Sequence, residues 1–168
     1  MNIRIFFKNF GLLESLVSAA FLYVVIMLIW TATTRTAVQQ KASAIKSNHE
    51  KVVNFLNSQI SECGQDLNSK TKWGEICKDD WSARVIVKYL NKEINLKNPY
   101  SIKVNLIQAV NDPRISAEGK AGQSTDKGII FVSSTNFSSE VGSEWIIGTC
   151  VKSPCVAAGN NELISIYR

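Results

Sequence analysis

The sequence is poor in residues that many active sites require. It has 3 prolines and 1 histidine in 168 residues. With His49 alone there is no material for a multi-histidine metal site, and little for a Ser-His-Asp triad or a Cys-His pair. No glycine-rich loop of the phosphate- or dinucleotide-binding type is present. Carboxylate pairs for acid/base chemistry fall in no recognisable motif, and no residue takes a catalytic role. Charge of one sign is not concentrated either: 19 basic against 14 acidic residues give +5, without the clustered basic face that nucleic-acid binding needs. The reading is therefore not an enzyme, with no cofactor, no metal and no nucleic-acid partner. Apolar content of 45% is that of a chain with a packed core.

Charge is also missing locally, and that absence carries information. Residues 9–34 hold one charge, Glu14, and residues 19–30 are apolar or aromatic throughout. The run 10–30 has 21 residues, about the number that spans a ~30 Å hydrocarbon core as a helix. It ends Leu28-Ile29-Trp30-Thr31-Ala32, a poor cleavage site for a secretory signal. The expectation is an uncleaved transmembrane helix, with Tyr23 and Trp30 as interfacial residues. Arg4 and Lys8 precede it, and Arg35, Lys41 and Lys46 follow it.

Glycine and proline are absent from all 52 residues between Gly11 and Gly64. In the second half of that stretch Val38, Ala42, Ile45, His49, Val52, Val53, Leu56 and Ile60 recur at helical spacing. Gln39, Gln40, Lys46, Asn54 and Asn57 fill the other face. The membrane helix is thus expected to continue as an amphipathic helix over residues 31–63, stopping near Cys63 and Gly64. At 1.5 Å per residue the whole would be about 78 Å long, and its stripe needs a head to lie against.

Residues 64–168 read as that head. Residues 64–78 form a polar loop. A second helix follows, with Asp79 or Asp80 as its cap rather than half of a calcium site, running through Trp81, Val85, Tyr89 and Leu90 to Leu96. Residues 101–110 alternate Ile102, Val104 and Leu106 against Lys103 and Asn105, a strand. Residues 116–128 are a flexible loop. Residues 128–134, 144–151 and 162–167 are three further strands. The fold class is α+β: a long N-terminal helix, membrane half plus amphipathic half, packed on a small antiparallel sheet.

Cys63, Cys77, Cys150 and Cys155 all lie after the apolar run. An even number on one side of a membrane fits an oxidising compartment and two disulfides. Three pairings are open. The local one is the simplest, and loop entropy gives about 3 kcal/mol for Cys63 with Cys77 and roughly 2 for Cys150 with Cys155. Neither spacing is a common zinc spacing. His49 reads as a packing residue between helix and head. Trp73, Trp81 and Trp145 read as core or loop anchors rather than an adhesive patch. Asn136-Phe137-Ser138 is a formal glycosylation sequon.

The segment Lys8-Asn9-Phe10-Gly11-Leu12-Leu13-Glu14-Ser15-Leu16-Val17 resembles the class III signal of type IV pilins and pseudopilins, leaning toward the minor and type IVb groups. That family has a short basic leader ending in glycine, then a phenylalanine or methionine, then a glutamate at the fifth mature position. The resemblance implies a leader over residues 1–9, a cut between Asn9 and Phe10 by a prepilin peptidase, and methylation of the new amine. Asn9 stands where the family has glycine, and the proline that often kinks the family's helix is absent. The resemblance further implies a fibre subunit whose partners are other pilin subunits, an inner-membrane assembly platform and membrane lipid. Its place would be the bacterial inner membrane, single pass, with a periplasmic head, and an extracellular pilus once assembled. Secretion, adhesion and uptake fibres all belong to this class. In such a fibre the carboxylate of Glu14 neutralises the N-terminal amine of a neighbour and sets axial register; otherwise it snorkels to the headgroups. The alternative reading is a single-pass membrane protein with a periplasmic ligand-binding or sensory head.

Overall fold

The structure is a computed structural model that describes residues 11–101, 106–110, 127–136 and 143–168. Asn9 and Phe10, the leader over residues 1–9, most of the loop read at 116–128, and Phe137 and Ser138 of the sequon lie outside the described residues. The fold is α+β, with one long N-terminal helix packed on a small mixed sheet. Helix α1 spans Leu12–Gln65, 54 residues. Helix α2 spans Ala83–Glu93, and strands β1 to β4 span Ile107–Ala109, Ile130–Asn136, Ser143–Cys150 and Asn161–Tyr167.

The chain forms two compact units, Met1–Gln40 and Lys41–Arg168. In the first, the described part of α1 turns its apolar side chains outward, among them Leu16, Phe21, Leu22, Ile26 and Leu28. It is the one helix among the described residues long and apolar enough to cross a membrane. No glycine or proline interrupts it, so nothing in the sequence breaks its hydrogen-bond ladder.

In the second unit, the remainder of α1 buries Ile45, His49, Val52, Val53, Leu56 and Cys63. Val52, Val53 and Leu56 meet Ile86, Val87 and Leu90 of α2 and the inner side of the sheet, where Ile130, Val132, Trp145, Ile147 and Ile166 lie. Each such side chain contributes roughly 1.5–3 kcal/mol on burial. Val38, the first residue of the expected stripe, is in the first unit and 41% exposed.

Two expectations for the head need correction, and a third is met in part. The sheet is mixed, not antiparallel: its order is β1-β2-β3-β4, and β1 runs parallel to β2, with Ile107 opposite Ile130. The 20 residues between Ala109 and Ile130 are enough for the crossover that parallel pairing demands, where a tight turn would have forced antiparallel pairing. Of the strand read at 101–110, residues 102–105 lie outside the described residues and Ile107–Ala109 are strand. The second helix starts later than Asp79 or Asp80 and stops before Leu96. Ser82 holds its N-cap position without a side-chain cap bond. Residues 79–81 instead carry Trp81 from the Cys77 bridge into the core, where it is 4% exposed. The Glu75 carboxylate serves the helix start by accepting the amide of Ser82 at 3.3 Å. At the other end Ile94 returns its amide to the carbonyl of Leu90 at 2.9 Å.

Strand β3 is central and buried along nearly its whole length, so it lacks the alternation of a half-exposed strand. Gly128 leads into β2 with φ +76°, and a Cβ there would meet Asn98 Oδ1 at 2.5 Å. Asn98 is held in that position by the amide of Tyr100, which it accepts at 2.9 Å, and by its own bond to the carbonyl of Lys127 at 3.2 Å.

Candidate functional site

Helix α1 begins with a reciprocal arrangement at its first turn. The amide of Ser15 donates to the carbonyl of Gly11 at 3.1 Å, opening the helical ladder. The amide of Gly11 in turn donates to Glu14 Oε2 at 2.9 Å. Gly11 sits at the N-cap position and Glu14 at N3, so the carboxylate supplies half of a capping box. A negative charge here also meets the positive end of the helix dipole. Glu14 is exposed, and large apolar side chains from Leu16 to Trp30 are exposed after it.

Beyond the apolar run, four threonines hide their own polarity. The hydroxyl of Thr31 donates to the carbonyl of Leu28, that of Thr33 to Trp30, that of Thr34 to Trp30 and that of Thr36 to Thr33, at 2.8–3.0 Å. Such back-bonding satisfies the hydroxyl within the helix. Tyr23 and Trp30 are both exposed on this unit.

In the head, the cysteines are joined as Cys63 with Cys77 and Cys150 with Cys155, and no free cysteine remains among the described residues. The first bridge ties the end of α1 to a small loop. That loop is closed by a bridge between Lys70 and Ile76, with Gly74 at φ +96° in its turn. The second bridge folds the chain back just before β4. Asn161 Nδ2 donates to the carbonyl of Cys155 there at 2.6 Å.

His49 lies in the interface between α1 and β3. Its Nε2 stands 3.2 Å from the carbonyl of Ile147; a carbonyl only accepts, so Nε2 carries the proton. Burial pushes the imidazole below its ordinary 6.5, opposed in part by that bond and by Glu162 and Glu50. This is a packing histidine with a satisfied donor. Trp73, Trp81 and Trp145 belong with Phe55 and Tyr89 to one aromatic cluster: Trp73 meets Trp81 edge-on at 4.9 Å, and Trp81 lies 6.2 Å from Trp145. The guanidinium of Arg168 covers Trp81 at 3.9 Å and donates to the carbonyl of Asp79 at 2.8 Å. Trp145 Nε1 is buried and has no hydrogen-bond partner among the described residues.

Several polar residues that hold the head together carry no motif. Asn91 reads β1 like a strand: its Nδ2 donates to the carbonyl of Ile107 at 2.8 Å, and its Oδ1 accepts the amide of Ile107 at 3.2 Å. Gln59 is buried on α1, accepts the amide of Lys72 at 2.9 Å and donates to Glu62. Asn48 donates to the carbonyl of Lys97 at 3.1 Å. The available signal is positional: Asn48 and Gln59 sit three or four residues from Ile45, Val52 and Leu56, on the buried face.

A cleft of about 670 Å³ opens beside the start of α2, lined by Asp80, Trp81, Ser82, Arg84 and Ser134. Among the described residues no three His, Cys, Asp or Glu side chains come together in a way that would hold a metal ion. No protein-family model matches this chain, and neither a curated protein nor a solved structure matches it.

Proposed function

We propose that this chain is a structural subunit of a type IV pilus or a related secretion or uptake fibre, assembled through the N-terminal part of α1. One observation carries the reading. A single unbroken helix has an outward-facing apolar surface with a lone carboxylate, Glu14, at its first turn, and its later half is the spine of a disulfide-bearing α+β head. An apolar helical surface of this size needs either lipid or other helices around it. A subunit that passes from membrane to fibre uses both in turn. Its partners would be other pilin subunits, an inner-membrane assembly platform and a prepilin peptidase. The head would stand in the periplasm before assembly and outside the cell afterwards. The test is to shear surface fibres from the host and determine the N-terminal mass of this chain in the fibre and membrane fractions. A fibre-borne chain starting at Phe10 is expected. A chain confined to the membrane with Met1 intact would overturn the proposal.

The second reading is a single-pass membrane protein with a ligand-binding head. It is favoured by the cleft at the start of α2, where Ser82, Arg84 and Ser134 offer polar groups beside Trp81.

A further inference from the structure

Where α1 leads into the second unit, positive charge gathers on one aromatic ring. Lys41, the first residue of that unit, holds its ammonium group 5.3 Å from the centroid of Tyr100. Lys127 holds a second ammonium group 5.4 Å from the same centroid. The three residues come from separate parts of the chain: α1, the turn after α2 and the entry to β2. Hydrogen bonds fix the ring between them. Tyr100 donates its amide to Asn98 Oδ1 and its hydroxyl to the carbonyl of Val151 at 3.4 Å. Asn98 Nδ2 donates in turn to the carbonyl of Lys127 at 3.2 Å.

Two cations that share a ring repel each other, and the ring face offsets only part of that repulsion. Among the described residues neither lysine is ion-paired. The carboxylate of Glu162 is taken by Lys46, and Glu50 lies about two and a half turns further along α1 than Lys41. Two more exposed lysines add charge of the same sign. The carbonyl of Lys97 accepts Asn48 of α1, and Lys152 follows Val151, the residue bonded to Tyr100. The same loop exposes Val156, at 54%.

We propose that this end of the head docks on anionic phospholipid headgroups, with Lys41 and Lys127 beside Tyr100 as the phosphate contacts. The choice of partner rests on charge and on connectivity. Between the apolar run and Lys41 the only formal charge is Arg35. Lys41 follows it by six residues of one helix, about 9 Å, which is within a Debye length. With the apolar run in a bilayer, headgroup phosphates are the anions that the chain itself brings near. A lipid surface presents phosphates side by side, so it serves both lysines whichever face of the ring each takes. A single free anion does not. An exposed valine among lysines also suits the boundary between headgroups and acyl chains. The proposal rests on the membrane reading of α1, which a fibre subunit and a single-pass receptor share, and not on assembly.

The test uses the full chain in lipid discs, one set of phosphatidylcholine alone and one with phosphatidylglycerol added. An uncharged acylating reagent labels accessible lysines, and mass spectrometry reads each position. Lys70 and Lys78, exposed on either side of the loop closed by Cys63 and Cys77, are the references. Relative to them, labelling of Lys41 and Lys127 is expected to fall about fivefold in the anionic discs, and high salt should restore it. Lys41→Gln and Lys127→Gln should each lower the preference for phosphatidylglycerol among lipids that stay with the protein in detergent, again about fivefold, with both disulfides intact. Equal labelling in the two sets of discs would overturn the site. So would full protection in the neutral discs, which assigns the lysines to carboxylates of this chain or of a neighbour. Protection by inorganic phosphate in neutral discs would make it a free-anion site and overturn the lipid. A chain that enters neither set of discs would overturn the membrane reading of α1 along with the site, whereas entry into both without a difference overturns the site alone.

Discussion

Glu14 accepts the amide hydrogen of Gly11, three residues back along the chain, at 2.9 Å. The carboxylate therefore has a partner within its own helix before any neighbour arrives. Two contributions are available to it: a cap bond, which needs only an acceptor oxygen, and a charge, which needs an ionised one. Substitutions can separate them.

Glu14→Gln keeps an acceptor oxygen and removes the charge; Glu14→Ala removes both. If charge pairing with a neighbour's amine drives assembly, both variants lose fibre yield sharply, by the roughly 3–5 kcal/mol per contact of an unpaired buried charge. Membrane insertion of either should be as good as or better than that of the parent chain. If the cap alone matters, Glu14→Gln assembles normally and Glu14→Ala loses about 1 kcal/mol of helix stability. Sheared-fibre yield, read against membrane-fraction content, decides between them.

Processing should depend on the residue before Phe10. The expected mature chain begins at Phe10 with a methylated amine. Asn9→Gly should increase the cleaved fraction in intact-mass spectra. An unchanged spectrum, with Met1 retained in both, would remove the peptidase from the list of partners.

His49 gives the head a pH dependence of definite sign. Its folded-state affinity for protons is lowered by burial, so the unfolded chain binds a proton more readily. Stability is then fully present above about 6.5 and falls as pH drops below that value toward the lowered one. Thermal unfolding of the detergent-solubilised chain, followed through its tryptophans, should show the midpoint dropping over this window. His49→Gln, which keeps a donor for the carbonyl of Ile147, should flatten the slope there at a uniform cost of about 1–3 kcal/mol.

The two disulfides should differ in weight. Opening the Cys63–Cys77 loop by a double serine substitution should cost about 3 kcal/mol, and opening the Cys150–Cys155 loop about 2. Denaturant midpoints of the two variants test the order. Protein from the host compartment should show no alkylatable thiol until it is reduced.

Much of this fold could be read from local pattern. The glycine- and proline-free stretch announced α1, and the step of three and four at Ile45, His49, Val52 and Leu56 marked the face that the head covers. Strands β2, β3 and β4 fall within two residues of their expected positions, because Gly and Asn punctuate them. The direction of β1 was not legible. Parallel pairing depends on where a 20-residue connection goes, and alternation along a strand says nothing of its direction. Asp79 and Asp80 have the chemistry of a cap but not the place of one, since burial of Trp81 outweighs an early helix start. Asn91 falls in no motif and on no alternating pattern. Its pairing with Ile107 exists only once β1 has docked. For the candidate site, the apolar run and Glu14 stood out as a charge in the wrong solvent; the Gly11–Glu14 bond needed coordinates.

The self-bonded threonines after Trp30 bear on where such a helix sits in a bilayer. Residues 31–34 carry three hydroxyls, each returned to a backbone carbonyl, and the next formal charge is Arg35. At 1.5 Å per residue these four positions add about 6 Å that can lie either in hydrocarbon or among headgroups. That span is comparable to the differences in thickness between biological membranes. A helix with this sliding margin is not a ruler cut to one bilayer. In a membrane it would settle deeper or shallower by about a turn with little change in tilt, with Arg35 as the limit of travel.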